Sequence, residues 1–297
     1  MTRPTIGFIG LGLMGSAMVQ RLLDRDYAVT VLGHRDRSGV EAARARGARE
    51  AKTARDLAAA SDVVMLCMGT SAQVESRMYG DDGVIAGLRP GAVAIDFGTS
   101  LPASTRAIGA AVAAVGATYM DAPLGRTPSH GREGKLNIMC AGDEATFARI
   151  RPILDDLGEN VFHLGTLGSG HTIKLINNFF AMTTASAMSE VFVMADATGI
   201  PRQKIYDVMS AGPLHSGMMD LVKAYAIDGD ADKLAFALEN ARKDVGYYIR
   251  MAEDSGSATV MSGAAKLLLD LAVAGGHGKD NVPRLVDFVS TLIRRDA

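Results

Sequence analysis

Two domains are predicted: a doubly wound α/β domain over residues 1–164, then an all-α domain over 165–297, joined by a long helix. Three observations carry this. Short apolar runs alternate with helical patterns as far as Gly165, strand signals stop there, and 297 residues is about twice the ~150 expected of one domain. In order, the strand candidates are Thr5–Gly10, Ala28–Leu32, Asp62–Met68, Ala92–Phe97, Thr118–Ala122, Leu136–Ala141 and Val161–Leu164. Helical patterns at Met14–Leu23, Arg37–Arg46, Ala72–Tyr79 and Pro102–Val115 separate the early ones, which implies βαβ units and a mostly parallel sheet. Val63-Val-Met-Leu-Cys67 and Ala92-Val-Ala-Ile95 are apolar at every position, as strands covered on both faces should be. The later pattern is helical throughout: Thr172–Thr198, Arg202–Ser210, Ser216–Ala226, Ala235–Asp254, Val260–Ala274 and Val282–Arg294. No internal repeat or low-complexity tract interrupts it.

Composition narrows the class. Hydrophobic residues are 48% and charged residues 22%, a globular balance that excludes disorder. Lys+Arg 31 against Asp+Glu 33 leaves a net charge of -2, so the basic excess of a nucleic-acid or anionic-membrane binder is missing. Two cysteines, Cys67 and Cys140, lie in apolar runs, too few for a disulfide framework or a cysteine zinc site. The six histidines show no close pair at metal-ligand spacing, so no metal is expected. The apolar run from Thr5 starts almost at Met1, which leaves no room for a cleavable leader. The longest apolar stretch, roughly 173–200, is broken by Lys174, Asn177, Asn178, Glu190 and Asp196 and reads as a buried or interfacial helix. A cytoplasmic protein with small-molecule partners is expected, without nucleic acid or membrane.

Gly10-Leu11-Gly12-Leu13-Met14-Gly15 follows the first strand and opens the first helix. The glycine spacing alone is a weak signal, but strand, turn and helix in register point to a Rossmann-type dinucleotide fingerprint. Its first glycine permits the tight turn, the second lets the backbone approach a pyrophosphate, and the third lets the helix pack closely. The second strand ends in Gly33-His34-Arg35-Asp36-Arg37. Arg35, with Arg37 or His34, suits a ribose 2′-phosphate and so NADP, while Asp36 keeps NAD open. Further on, Gly168-Ser-Gly-His-Thr-Ile-Lys174-Leu-Ile-Asn177-Asn178 puts Lys174 and Asn178 on one helix face, with Asn177 beside them. A lone helix lysine is ordinarily a solvated charge. Here Ile173, Leu175, Ile176, Phe179 and Phe180 surround the polar groups, and burying an ammonium and two amides needs partners or a ligand. A catalytic cluster is the better reading.

With these segments the chain resembles the β-hydroxyacid dehydrogenase family, which contains 3-hydroxyisobutyrate, tartronate-semialdehyde and sulfolactaldehyde reductases. The resemblance spans essentially the whole chain. It rests on Ile6–Gly15, on Asp121-Ala-Pro123 running through Gly134 and Leu136, on the Gly170–Asn178 segment, and on Lys243-Asp244. It implies Lys174 as catalytic acid/base, Asn178 as a substrate-orienting group, and Lys243 closing over the nicotinamide or substrate. Thr99 and the backbone around Met68 are implied to touch the cofactor. Where the family has Ser-Gly-Gly against the substrate's acid group, this chain has Gly125-Arg126-Thr127, which looks like the sulfolactaldehyde reductase branch. Ala181 stands where decarboxylating 6-phosphogluconate dehydrogenases place a Glu, so simple alcohol–carbonyl chemistry is implied.

The expected function is reversible hydride transfer between NAD(P) and a small β-hydroxy acid, or sulfonate analogue, and its semialdehyde. The site is expected at the junction of the two domains. A catalytically silent dinucleotide-binding sensor or scaffold is the competing class; other short aldehydes, ketones or imines are the competing substrates. The apolar length of the Thr172–Thr198 helix further predicts a homodimer or homotetramer.

Overall fold

The computed structural model describes residues 3–293 and divides into two compact units, Met1–Lys174 and Leu175–Ala297. In the first unit, β1 (Ile6–Ile9), α1 (Leu13–Asp24), β2 (Val29–Leu32), α2 (Ser38–Ala45), β3 (Arg49–Ala51), α3 (Ala54–Ala59) and β4 (Val63–Leu66) alternate regularly. Next come α4 (Ser71–Met78), α5 (Val84–Gly87), β5 (Val93–Asp96), α6 (Pro102–Ala114) and β6 (Thr118–Asp121). The six strands form one sheet, entirely parallel, in the order β3-β2-β1-β4-β5-β6. The order reverses direction at β1, and this type of crevice is where doubly wound sheets take ligands.

Side-chain alternation explains why the strands read as continuous apolar runs. Phe8, Val63, Met65, Val93 and Ile95 enter one buried cluster, whereas Ile9, Val64, Leu66 and Ala94 enter another on the opposite face. Both faces are covered by helices, so β1 and β4 carry only apolar side chains on either face.

A second sheet follows. It comprises β7 (Leu124–Gly125), β8 (Leu136–Cys140) and β9 (Gly158–His163), with α7 (Pro128–Glu133) and α8 (Glu144–Leu157) between them. β7 runs antiparallel to β8, and β8 parallel to β9. Several elements go beyond the sequence pattern for identifiable reasons. β3 is a three-residue edge strand with Arg49 and Glu50 exposed, so it shows no alternation. α3 and α7 are short helices of six residues each. α8 buries Ile150, Ile153, Leu154 and Leu157 at helical spacing, but Pro152 lies inside it and disguises the pattern.

The helix α9 (Ser169–Ala197) carries the chain from the first unit into the second. Then come α10 (Arg202–Ser210), α11 (Gly217–Ala226), α12 (Leu238–Asp254), α13 (Met261–Ala272) and α14 (Leu285–Ile293). Their common core includes Met182, Met188 and Phe192 of α9, Val222, Leu238, Val245, Leu269 and Val286. The last residue of the pattern that ends at Arg294 lies outside the described residues. Among the described residues, no helix is long and apolar enough to cross a membrane.

Candidate active site

The glycine turn sets the first wall. Gly10 has φ +97, and a Cβ there would lie 2.4 Å from the Cys67 carbonyl oxygen and 2.9 Å from Met68 Sδ. A Cβ on Gly15 would come within 1.8 Å of the Gly10 carbonyl oxygen, so the start of α1 can pack on the turn only as glycine. Gly12 is different: a Cβ there would meet nothing within 4 Å. Gly12 is also the N-cap of α1, with no side-chain cap and no acidic residue in the first turn. Leu11 and Met14 are part-buried beside it, and Leu13 is 77% exposed. Open space above uncapped helix amides is what a pyrophosphate requires, so the turn fits a dinucleotide.

Adjacent strands add to this wall. Gly98 presses on Met68, since a Cβ there would lie 2.8 Å from the Met68 carbonyl oxygen. The turn at Gly10, the Cys67–Met68 backbone and the loop holding Thr99 therefore meet at the carboxyl ends of β1, β4 and β5.

At the end of β2 the charges are sorted by their partners. His34 and Arg35 are exposed. The Asp36 carboxylate accepts from the Ser38 amide at 2.9 Å and its hydroxyl at 2.7 Å, which holds the carboxyl below its ordinary range. Arg37 donates both arms of its fork to Glu50, at 2.6 and 3.1 Å. Asp36 is thus spent on starting α2, and Arg37 on a carboxylate of β3. An open cavity of about 820 Å³ lies alongside, lined by Gly33, Arg37, Arg44, Arg49, Glu50 and Lys52.

Lys174 sits in α9 with its amine on the second sheet. Its Nζ donates to the Leu124 carbonyl oxygen at 2.7 Å, which places it directly before Gly125-Arg126-Thr127. Thr127 Oγ1 lies 2.7 Å from His130 Nδ1 and 2.8 Å from Ser129 Oγ. Arg126 adopts φ +75, a left-handed backbone unusual outside glycine. Its guanidinium donates to the Lys135 carbonyl oxygen at 2.7 Å and pairs with Glu159.

In the second unit, the Asn178 amide is 8% exposed and donates to Asp244 Oδ2 at 2.6 Å. Lys243 Nζ lies 3.0 Å from the other oxygen of the same carboxylate and 5.3 Å from the Tyr247 ring centroid. Phe179 stacks on Tyr248, with centroids 4.3 Å apart. Asn177 meets Asn178 only at 3.5 Å, at the limit of a hydrogen bond. Lys243 and Asn178 are therefore brought together by Asp244, which the sequence-level site omits. The signal for it was available, because a buried amide beside an ammonium calls for a buried acceptor.

Comparison with known proteins gives the same frame. Residues 5–165 match the NAD binding domain of 6-phosphogluconate dehydrogenase. Residues 168–289 match the NAD-binding region of NADP-dependent 3-hydroxyisobutyrate dehydrogenase. A probable 3-hydroxyisobutyrate dehydrogenase-like 2, mitochondrial, of Arabidopsis thaliana is 33% identical over 98% of this chain and 95% of its own. The chain belongs to the β-hydroxyacid dehydrogenase family. As a member it is an NAD(P)-dependent oxidoreductase acting on CH–OH donors. A second relative, the 2-(hydroxymethyl)glutarate dehydrogenase of Eubacterium barkeri, is 27% identical over 95% of this chain and 93% of its own. Among solved structures, the 3-hydroxyisobutyrate dehydrogenase of Mycobacterium tuberculosis with L-serine superposes with TM-score 0.88 at 25% identity, covering 97% of this chain and 99% of that one. Psf3 in complex with NADP+ and 2-OPP gives 0.85 at 25%, covering 96% and 100%.

Proposed function

We propose that this β-hydroxyacid dehydrogenase interconverts a short β-hydroxy acid, or its sulfonate analogue, and the corresponding semialdehyde, using NADP, with NAD as the second cofactor. The observation that carries this is the Lys174 amine fixed 2.7 Å from the Leu124 carbonyl, at the threshold of Gly125-Arg126-Thr127. A lysine so anchored is placed to exchange a proton with an oxygen whose acid group the neighbouring segment holds.

Bound nicotinamide supplies or takes the hydride. In reduction, Lys174 Nζ donates a proton to the carbonyl oxygen; in oxidation, the neutral amine takes the hydroxyl proton. Asn178, held by Asp244, orients the substrate, and Lys243 closes over the nicotinamide or substrate. Gly10, Leu11, Gly12, Leu13, Met14 and Gly15 hold the pyrophosphate, with Met68 and Thr99 alongside. Arg35, with His34, meets the 2′-phosphate, because Arg37 is engaged by Glu50. Gly125, Arg126 and Thr127, with Asn177, face the acid group, and Arg126 takes it by exchanging Glu159 for the substrate's anion. Ala181 offers no acid for a decarboxylation step.

The setting we propose is a cytoplasmic homodimer or homotetramer acting on a small acidic substrate. Met261, Leu267, Leu271 and Leu292 are exposed on α13 and α14, which supports self-association through the second unit.

The test is a turnover panel of 3-hydroxyisobutyrate, L-serine, 2-(hydroxymethyl)glutarate and succinic semialdehyde, run with each cofactor in the matching oxidation state. Turnover of at least one member, faster with the phosphorylated cofactor, is expected. Cofactor binding with no turnover across the panel would return the reading to a silent dinucleotide-binding protein. Arg35→Ala should weaken NADPH much more than NADH; equal losses would remove Arg35 from 2′-phosphate recognition.

A further inference from the structure

Beneath the loop that holds Thr99 lies a group of titratable side chains that the reaction above does not use. Asp96, Asp121 and His171 are each 0% exposed. Asp96, at the end of β5, accepts from the Gly98 amide at 2.8 Å and the Ser100 hydroxyl at 2.7 Å, so the loop carrying Thr99 is wrapped around its carboxylate. Asp121, at the end of β6, accepts from the Gly168 and His171 amides at 2.8 and 2.7 Å. It thereby satisfies amides at the beginning of α9 that no helical carbonyl can reach. The fit there is close, since a Cβ on Gly170 would lie 2.9 Å from Asp121 Oδ2 and 2.3 Å from the Met139 carbonyl oxygen.

The imidazole of His171 stands between the two carboxylates. Nδ1 lies 2.7 Å from Thr105 Oγ1 of α6 and 3.8 Å from Asp121 Oδ2. Nε2 makes no hydrogen bond and faces Asp96 Oδ2 at 3.6 Å. Around them are the Tyr119 hydroxyl, itself buried without a hydrogen-bond partner, and the thiols of Cys67 and Cys140. Burial raises the Asp121 carboxyl above its ordinary value despite the nearby imidazole and the two amides. Two carboxylates in such surroundings need a polar counterpart, and His171 is the group that touches both.

We infer that His171 is a positioning residue for Lys174, locking the first turn of α9 to the loop that carries Thr99. The inference rests on the acid/base reading of Lys174 given above. Lys174 follows His171 by three residues on α9, so a shift of the first turn moves its amine directly. Asp96, around which the Thr99 loop is wrapped, faces the same imidazole at 3.6 Å without a hydrogen bond, so the proton-bearing and cofactor-facing parts of the first unit pack against one buried ring.

The experiment compares His171→Leu with wild type. Without cofactor, hydrogen exchange should speed up in both residues 97–101 and 168–173. With 3-hydroxyisobutyrate or the panel member that turns over, kcat per NADPH-binding site, counted by fluorescence titration, should fall on the order of 10²-fold. KM for substrate and Kd for NADPH should stay near wild type. Counting bound NADPH removes any unfolded fraction, so a merely structural loss would leave the corrected kcat unchanged. Should His171→Leu fail to fold, Thr105→Val keeps both carboxylates and the ring but removes the hydroxyl beside Nδ1, and should show the same pattern at about tenfold. Wild-type corrected kcat in a folded variant, or faster exchange in only one of the two segments, would overturn the inference. Lys174→Ala run in parallel separates the failures. If it keeps turnover, the acid/base reading is wrong, whereas lost turnover with an unaffected His171→Leu sinks only the positioning role.

Discussion

At Gly12 and Gly15, three residues apart in one turn, an added methyl group meets opposite surroundings. Gly15→Ala drives a Cβ to 1.8 Å from the Gly10 carbonyl oxygen and should cost at least about 3 kcal/mol of stability. Gly12→Ala meets nothing within 4 Å and has an extended backbone, φ -72 and ψ -166, so stability should change by less than about 0.5 kcal/mol. It should nevertheless weaken both NADPH and NADH, because the methyl group fills space reserved for the pyrophosphate. Thermal melts beside fluorescence titration check the pair; a Gly12→Ala protein that binds cofactor normally would remove the turn from the site. Cys140 offers a second residue-scale check. Its thiol is fully buried and pushed up to about 12, first by burial and then by Asp121, so it should resist thiol reagents at pH 8 until the protein unfolds. The glycine turn and the Lys174–Asn178 spacing were legible in the sequence because both are local. Asp244 stands beside Lys243 in the sequence, but its pairing with Asn178, 66 residues away, was not legible, because only the packed second unit brings the two within 2.6 Å.

Elements were legible as unbroken apolar runs, as in β4 and β5, or as helical periodicity free of an internal proline, unlike that of α8. Ser216 illustrates a boundary set by chemistry: its hydroxyl accepts from the Met219 amide at 3.3 Å and caps α11, so Ser216→Ala should cost about 0.5–2 kcal/mol in denaturant unfolding. An unchanged midpoint would show that the cap contributes nothing. Between the segment that follows α1 and α8 the tie is a hydrogen bond. The Tyr27 hydroxyl donates to Asp156 at 2.8 Å, and burial, then that carboxylate, raise its pKa from 10.0 to about 12. The folded value lies above the unfolded one, so this contribution is complete below pH 10 and disappears as pH rises through about 12. Tyr27→Phe should flatten the loss of stability in that window; an identical alkaline limb in the variant would contradict the assignment. The second sheet escaped a topology-level reading for a related reason. β7 is only two residues long, yet it holds the Leu124 carbonyl on which Lys174 rests.

Across the whole molecule, the first compact unit ends at Lys174, inside α9, ten residues beyond the boundary expected after residue 164. The parallel sheet presents the glycine turn, Met68 and Thr99 at one set of strand ends. The helical unit packs Asn178, Asp244 and Lys243 into one buried polar cluster. Light scattering should return a mass at least twice 31.2 kDa at micromolar concentration; a monomer mass would assign the exposed residues of α13 and α14 to ordinary surface. Substrate identity was the least legible property, because in sequence Gly125-Arg126-Thr127 only resembles one branch of the family, and in the fold Arg126 is paired with Glu159. The central claim is narrower: Lys174 moves the proton in an NAD(P)-dependent carbonyl reduction. Lys174→Ala, assayed with NADPH and the best substrate of the panel, measures it most directly. Turnover should fall by roughly 10²–10⁴-fold while NADPH binds as in wild type, since the glycine turn is untouched. Near wild-type turnover, with the variant folded and binding NADPH, would contradict the account.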